Sequence, residues 1–231
     1  MTPRVAVLVP VYNEARFLGG FLERLKLQGL HVLVVDDGST DGSLEVAGSY
    51  GAETLSLPVN SGKGSALRAG FSRLLEQGFD WIIVMDGDGQ HRPEEIPRFL
   101  RFLEEAAEGG FGIINGTRLE NPKGMPLVRL LTNRFMSYMV GRIAGQPIRD
   151  SQCGYKMLSA DFIRCAELHS NRFEIEDELL LEAVRLKYKI AFVPVTTVYG
   201  EEDSHIRPMT DTVRFLRFVA RWIGRFGKPR P

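Results

Sequence analysis

Short apolar runs alternate with amphipathic stretches along the first half of this 231-residue chain, and this alternation most limits its fold. The strand-like runs fall at residues 5–9, 32–35, 54–57, 81–85 and 112–115. The helix-like stretches between them fall within residues 14–28, at 43–50, at 64–76 and from Pro93 onward. Strands separated by helices pair in parallel and carry helices on their faces. We therefore predict an α/β fold built on a Rossmann-like, three-layer, mostly parallel sheet.

The chain length and composition favour one domain and exclude several classes of protein. Residues 1–211 are predicted to form the domain, and residues 212–231 a C-terminal helix and tail that belong to it or lie beside it. Lys plus Arg and Asp plus Glu number 29 each, so no overall charge favours nucleic acid. The sequence contains no run of 18 apolar residues, so no membrane span is predicted. Cys153 and Cys165 have no metal or redox spacing, which favours a cytoplasmic protein.

The most informative segment is W-I-I-V-M-D-G-D-G-Q-H at residues 81–91. An apolar strand ends there in two carboxylates, Asp86 and Asp88, and parallel α/β sheets bind ligands at the carboxyl ends of their strands. Hard oxygen ligands on a glycine-containing turn suit Mg²⁺ or Mn²⁺ bound together with a substrate diphosphate. A solvated acidic turn is the alternative interpretation.

Two earlier strands end at the same predicted edge in polar sequence, P-V-Y-N-E at residues 10–14 and D-D-G-S-T-D-G at 36–42. Asp36 or Asp37 is suited to accept hydrogen bonds from a ribose or a base, and Tyr12 to stack on the base. The alternative is an ordinary turn with a helix cap. N-S-G-K-G at 60–64 is similar to a shortened phosphate loop but favours a helix start with Lys63 at the rim.

These motifs, together with G-T-R at 116–118 and D-S-Q-C-G-Y-K at 150–156, resemble the family 2 glycosyltransferases in sequence and order. The similarity is to the branch of dolichyl-phosphate mannose synthase and related polyprenyl-phosphate glycosyltransferases, and it covers about residues 5–207. It implies a GT-A fold, a nucleotide-sugar donor and inversion at the anomeric carbon. The Q-x-x-R-W sequence of processive relatives does not occur, because Arg221-Trp222 lacks the preceding Gln.

The resemblance also implies roles for individual residues on the donor side. The nucleoside would be held by Pro10, Tyr12, Glu14 and Asp37. Asp86 would contact the ribose or the metal, and Asp88 with Gln90 would complete the metal site. Near the donor diphosphate the resemblance places Gln152. The loop at residues 204–207, after the last strand, is predicted to form a lid from which Arg207 reaches the diphosphate.

On the acceptor side, Arg118 and Arg134 are candidates to bind a phosphate, since guanidinium binds phosphate oxygens in bidentate fashion. The alternative is that Arg118 and Arg134 are solvated surface side chains without a ligand. A predicted helix begins with three acids, Glu176, Asp177 and Glu178. One interpretation is that these acids only complement the helix dipole. The resemblance implies a general base here, and we assign it to Asp177, although an anionic phosphate acceptor need not be deprotonated.

The C-terminal segment predicts a basic amphipathic helix over residues 212–226. Its arginines fall on one side and its aromatic residues, including Trp222 and Phe226, on the other. Such a helix suits the surface of an anionic membrane, with its aromatic side chains inserted. The alternatives are a helix packed on the domain and a homodimer contact through the same apolar face.

Together these observations predict a metal-dependent, inverting, non-processive enzyme. It would transfer a hexose from a GDP- or UDP-hexose to a polyprenyl phosphate or related lipid at the inner face of the cell membrane. The competing hypotheses are a soluble or glycolipid acceptor, sugar-1-phosphate nucleotidyl transfer, and a membrane-surface binding module. P-V-Y-N-E argues against nucleotidyl transfer, because that reaction favours a Gly-rich basic loop after the first strand.

Overall fold

A computed structural model describes residues 2–103, 109–120, 122, 124–197 and 208–227, with the backbone alone at 208–211. Over those residues one sheet contains seven strands: β1 Val5–Val11, β2 His31–Asp36, β3 Glu53–Ser56, β4 Trp81–Val84, β5 Phe111–Thr117, β6 Lys156–Ser159 and β7 Lys189–Pro194. Their order is β3-β2-β1-β4-β6-β5-β7. The five predicted strands are confirmed, and their ends differ from the prediction by one or two residues.

Helices connect these strands. The helices are α1 Ala15–Lys26, α2 Ser43–Ser49, α3 Lys63–Glu76, α4 Ile96–Leu100, α5 Leu127–Ala144, α6 Ala160–Cys165, α7 Ile175–Arg185 and α8 Pro208–Phe226. A 3₁₀ turn, Pro93–Glu95, precedes α4. Proline suits this first turn because its missing N–H has no helical acceptor there.

Pairing is parallel throughout the sheet except at β6, which runs antiparallel to both β4 and β5. The loop before β6 lies at the carboxyl end of β4, since Lys156 pairs with Val84. A strand that starts at that edge must run the opposite way. The reversal places residues 150–155 beside the end of β4, and the predicted mostly parallel α/β sheet is confirmed.

Two hydrophobic cores cover the two faces of the sheet. On β1, Ala6 and Leu8 face one core, whereas Val7 and Val9 face the other. This alternation follows from the two-residue period of a strand. The first core takes side chains from α3, α5, α7 and α8, and the second from α1, α2 and α4. The sheet is therefore buried on both faces, as the predicted three layers require.

The apolar face of α8 belongs to the first core. Phe215, Phe218, Val219 and Trp222 are only 2–6 % exposed and pack in the same cluster as Met136 of α5. Burying each such side chain stabilises the fold by about 1.5–3 kcal/mol, which a membrane would have to replace. The prediction that α8 inserts Trp222 into a membrane is wrong, and the same burial removes this face as a homodimer contact. In the part of the chain described, no helix has the length and apolarity to cross a bilayer.

Candidate active site

The ends of β1 and β2 are tied together by hydrogen bonds. The Asn13 amide donates to Ser39 Oγ at 2.9 Å, the Thr40 amide to Asn13 Oδ1 at 2.8 Å, and the Glu14 amide to Ser43 Oγ at 2.9 Å. Asn13 adopts a φ of 56°, which asparagine tolerates better than most residues.

The residues predicted to hold the nucleoside at the end of β1 lie at this junction. Pro10 is buried within β1, Glu14 is half-buried, and Tyr12 is 40 % exposed. The Tyr12 ring is therefore open to a planar ligand.

Asp37 organises the loop that precedes α3. Its carboxylate is 3 % exposed and accepts hydrogen bonds from the Ser61 amide at 2.9 Å and the Gly62 amide at 2.7 Å. The side chain thus fixes the N-S-G-K-G loop against the end of β2. Its predicted contact with a nucleoside stays a prediction, whereas its contact with the loop is an additional role that the sequence did not indicate.

Lys63 begins α3, as predicted, but its side chain does not lie at the rim. It is 11 % exposed, and its Nζ lies 2.5 Å from Asp86 Oδ1 and 2.7 Å from Glu176 Oε1. The flanking glycine explains this burial, because the Gly64 amide donates to the Asn171 carbonyl at 2.8 Å and any Cβ there would overlap the backbone of Ser170. The loop from residue 170 can therefore close over Lys63.

A buried chain of alternating charges extends from Asp86 through Lys63 and Glu176 to Lys156. Glu176 Oε2 lies 2.7 Å from Lys156 Nζ, which is wholly buried and also donates to the Cys153 carbonyl. Burial alone would raise the pKa of Glu176, but Lys156 and Lys63 outweigh it and hold that pKa below its usual range. Lys156, the burial of Lys63 and this use of Glu176 were not predicted from the sequence, where the glycines that flank Lys63 were the available signal.

The acidic turn after β4 is shaped by His91. The buried imidazole accepts a hydrogen bond from the Asp86 amide through Nδ1 at 3.0 Å, and burial lowers the pKa of His91 to about 4. The ring is therefore neutral near pH 7 and fixes the start of the turn. Burial would raise the pKa of Asp86, but Lys63 and His91 oppose it and the pKa falls to about 2.

Asp88 and Gln90 occupy the outer part of this turn. Both are half-buried, and Asp88 Oδ1 accepts a hydrogen bond from the Gln90 amide at 3.0 Å. Within the described ranges, no three histidine, cysteine or carboxylate side chains converge as a metal cage. Mg²⁺, however, is usually held by one or two carboxylates together with substrate phosphates. Asp88 and Gln90 fit that open kind of site, whereas Asp86 is already paired with Lys63.

The structure gives each of the three acids at the start of α7 a different neighbour. Glu176 pairs with the lysines, and Glu178 accepts the amide hydrogens of His169 and Ser170. Asp177 Oδ1 accepts a hydrogen bond from Gln152 Nε2 at 2.8 Å. Gln152 and Asp177, predicted separately for the diphosphate and the acceptor, are therefore in contact.

Asp177 has the ionisation suited to proton transfer. Its side chain is buried, and burial raises its pKa to about 7, although the Ser151 and Gln152 side chains act in the opposite direction. A carboxyl group with a pKa near 7 is partly ionised at neutral pH and can accept a proton. The assignment of the general base to Asp177 stays a prediction.

The two predicted phosphate-binding arginines lie in different environments. Arg118 is 5 % exposed and forms a bidentate pair with Asp150 through Nε at 2.8 Å and Nη2 at 3.0 Å, so a solvated arginine is the wrong description. Arg134 is exposed on α5. One turn along that helix, Ser137 Oγ accepts the amide hydrogen of Ser151, which places α5 against the loop that carries Gln152. Arg207 lies outside the described residues.

These contacts join the ends of β2 and β4, the start of α3, the start of α7 and the loop before β6 into one site. Asp37 holds the loop of Lys63, Lys63 contacts Asp86 and Glu176, and the next residue along α7 contacts Gln152. Gly154 completes the junction, because a Cβ there would lie 2.5 Å from Asp86 Oδ2. An α/β sheet with acidic side chains gathered at the carboxyl ends of its strands has the arrangement expected of a GT-A glycosyltransferase.

Comparison with protein families identifies the family. Residues 6–165 match the model of Glycosyl transferase family 2, and the chain belongs to this family. It is 33 % identical over 213 residues to the undecaprenyl-phosphate mannosyltransferase of Micrococcus luteus, covering 86 % of this chain and 85 % of that one. It is 30 % identical over 242 residues to the dolichol-phosphate mannosyltransferase of Pyrococcus furiosus, covering 97 % and 66 %.

Solved structures share the fold at low sequence identity. The glucosyl-3-phosphoglycerate synthase of Mycobacterium tuberculosis, in complex with Mn²⁺, UDP and phosphoglyceric acid, superposes with a TM-score of 0.76 at 18 % identity over 99 % of this chain and 80 % of that one. The mannosyl-3-phosphoglycerate synthase of Rubrobacter xylanophilus superposes with a TM-score of 0.72 at 21 % identity over 99 % and 76 %. The GT-A fold implied by the resemblance is confirmed.

Proposed function

We propose that this chain transfers a hexose from a nucleotide-diphosphate sugar to a polyprenyl phosphate or a related lipid phosphate. Transfer inverts the anomeric carbon and is non-processive. The observation that carries the proposal is the contact between Gln152 and Asp177, because it joins a group facing the donor to a carboxyl group poised to act on the acceptor. The names of the Micrococcus luteus and Pyrococcus furiosus relatives support the lipid-phosphate acceptor.

The donor is held along the ends of β1, β2 and β4. Tyr12 offers an exposed ring for the base, and Pro10, Glu14 and Asp37 shape the nucleoside side of the site. Asp88 and Gln90 would hold Mg²⁺ or Mn²⁺, which would stabilise as a Lewis acid the negative charge that grows on the leaving diphosphate. Lys63 keeps Asp86 ionised and fixed beside this position. Gln152 lies next to the leaving group.

The acceptor approaches from the side of α5. Arg134 is exposed there and supplies charge for a phosphate, while Arg118 is oriented by its pair with Asp150. Asp177 is the base that takes any proton on the attacking oxygen. In a single displacement that oxygen attacks opposite the leaving diphosphate, which inverts the anomeric carbon.

Asp177→Asn is expected to raise stability and to lower activity. The amide keeps the hydrogen bond from Gln152 but cannot ionise. The folded-state pKa of Asp177 is raised from 3.8 to about 7, so the wild type loses stability as the pH rises between those values. At pH 8 the variant should be more stable by about 4 kcal/mol and nearly equal to the wild type near pH 4, while kcat falls about 100-fold.

Urea unfolding at pH 4 and pH 8 and steady-state kinetics measure both effects. Glu174→Gln is the control, because it removes a half-buried carboxylate three residues before Asp177, and it should change neither quantity appreciably. A kcat within threefold of the wild type would show that the anionic acceptor needs no base.

Calorimetric titration with GDP- and UDP-hexoses, with and without Mn²⁺, tests the donor side of the proposal. We expect micromolar binding of one nucleotide sugar that weakens at least tenfold when Mn²⁺ is omitted. Absence of binding, or binding indifferent to Mn²⁺, contradicts a metal-dependent transferase. Binding of a nucleoside triphosphate with a sugar 1-phosphate, in place of a nucleotide sugar, would favour nucleotidyl transfer.

A further inference from the structure

The solvent face of α5 is apolar where a surface helix is normally polar. Leu127, Val128, Leu131, Phe135 and Tyr138 are 46–68 % exposed, and we call them the apolar stripe. At 3.6 residues per turn they fall within about 100° of one another on the helix. Contiguous exposed apolar patches of this kind mark sites of association with a protein, a membrane or a ligand.

The opposite face of α5 is fully engaged in the domain. Met136, Val140 and Ile143 are at most 5 % exposed and lie in the first hydrophobic core. The helix therefore cannot rotate to bury the stripe without exposing those side chains. The stripe is a feature of the folded domain that needs a partner outside it.

The charges around the stripe identify that partner. Arg142 is exposed within the same sector of the helix, Arg134 is exposed at its edge, and α5 contains no aspartate or glutamate. The adjacent α8 adds Arg217 and Arg221 on its exposed side. Apolar and aromatic side chains interspersed with arginines match the acyl boundary and the anionic headgroups of a phospholipid bilayer. A second copy of this chain fits less well, because a two-fold contact would place arginine against arginine.

The position of the stripe agrees with this partner. Ser137 is buried on the side of α5 next to Arg134, and its Oγ accepts a hydrogen bond from the Ser151 amide at 2.9 Å. Ser151 precedes the Gln152 that contacts Asp177. Arg134 thus stands between the active site and the stripe. A bilayer against the stripe would bring lipid phosphates to the exposed arginine one turn from the site.

We propose that the apolar stripe of α5, with its flanking arginines, docks the enzyme on an anionic phospholipid bilayer. This proposal rests on the proposed function and deepens it, because a lipid acceptor lies in a bilayer. The apolar stripe takes the place of the buried face of α8 as the membrane contact. The outer side of α8 contributes positive charge from Arg217 and Arg221, beside the exposed side chains of Val213 and Leu216. Docking is a property of the surface and requires neither donor nor metal.

Flotation with vesicles of phosphatidylcholine, with or without phosphatidylglycerol, tests the docking. Leu131→Glu and Leu27→Glu are a matched pair, because both leucines are exposed, at 57 % and 82 %, and Leu27 lies after α1 on the other side of the sheet. The wild type should float with the anionic vesicles. Leu131→Glu should lower the bound fraction at least tenfold, and Leu27→Glu by less than twofold.

Three results would overturn the proposal: no flotation of the wild type, equal flotation of Leu131→Glu and wild type, or a dimer that Leu131→Glu dissociates without changing flotation. Calorimetric donor binding by the same samples separates this proposal from the enzymatic one. Intact donor binding without flotation rejects the docking surface alone. Flotation without donor binding rejects the transferase and leaves the docking surface standing.

Discussion

Asp88→Asn is expected to lower kcat/KM about 1,000-fold and to leave the fold intact. Asparagine has the same shape and can still accept the amide hydrogen of Gln90, so the turn after β4 should be unchanged. The substitution removes the negative charge that would attract a divalent cation. A metal acting as a Lewis acid on the leaving group contributes several kcal/mol, and a 1,000-fold loss corresponds to about 4 kcal/mol.

Steady-state kinetics at saturating acceptor, with Mn²⁺ varied, measure this effect. Asp161→Asn is the matched control, because that carboxylate is 84 % exposed on α6, and its activity should stay within twofold of the wild type. More than a tenth of wild-type activity in Asp88→Asn would contradict the assignment of Asp88 as the metal ligand.

Glu176→Gln is expected to destabilise the fold by about 3–5 kcal/mol. The glutamate is 4 % exposed and faces Lys63 and Lys156, so a neutral amide leaves Lys156 buried against only the Cys153 carbonyl. Removing one partner of a buried ion pair is strongly destabilising because the other charge stays without compensation. The loss is a large fraction of the 5–15 kcal/mol typical of a domain.

Urea unfolding followed by circular dichroism measures the change in free energy. Glu167→Gln is the control, since its carboxylate is 52 % exposed in an ion pair with Arg225 and its loss should cost less than about 1 kcal/mol. Adding Lys156→Met to Glu176→Gln should recover most of the stability, because both charges then leave the interior. A loss in Glu176→Gln as small as that in Glu167→Gln would contradict the buried charge chain.

The fold was largely predictable because its strands are visible as local runs of apolar residues. The apolar runs that became β1, β2 and β4 lie between core layers, so nearly every residue is apolar and the strand is visible in sequence. The direction of β6 was not predictable. It depends on the loop at residues 150–155 starting from the carboxyl edge, which is a consequence of tertiary packing and has no local signal.

The candidate site was predictable where a residue follows directly after a strand, as Asp86 and Asp88 do. Lys63 was expected at the rim and is buried, because its neighbours come from β4 and α7, far away in sequence. The choice of Asp177 among three acids depends on the contact with Gln152, which only the folded chain brings into reach.

The two amphipathic helices α5 and α8 show the same limit. An amphipathic pattern indicates that a helix has an apolar face but not what covers that face. The pattern of α8 is strong, and its apolar face is covered by α5 and α7 within the core. The pattern of α5 is weak because both of its faces carry apolar side chains, and only one of them is buried.

Transfer of labelled hexose to a polyprenyl phosphate tests the central claim most directly. The enzyme is incubated with Mn²⁺, GDP- or UDP-hexose and undecaprenyl or dolichyl phosphate, and the label extracted into the organic phase is counted. We predict Mn²⁺-dependent formation of a polyprenyl-phosphate hexose, with the anomeric configuration opposite to that of the donor, and almost none with Asp88→Asn. The claim would be contradicted if the protein binds the donor but the label stays in the aqueous phase with every donor and both acceptors.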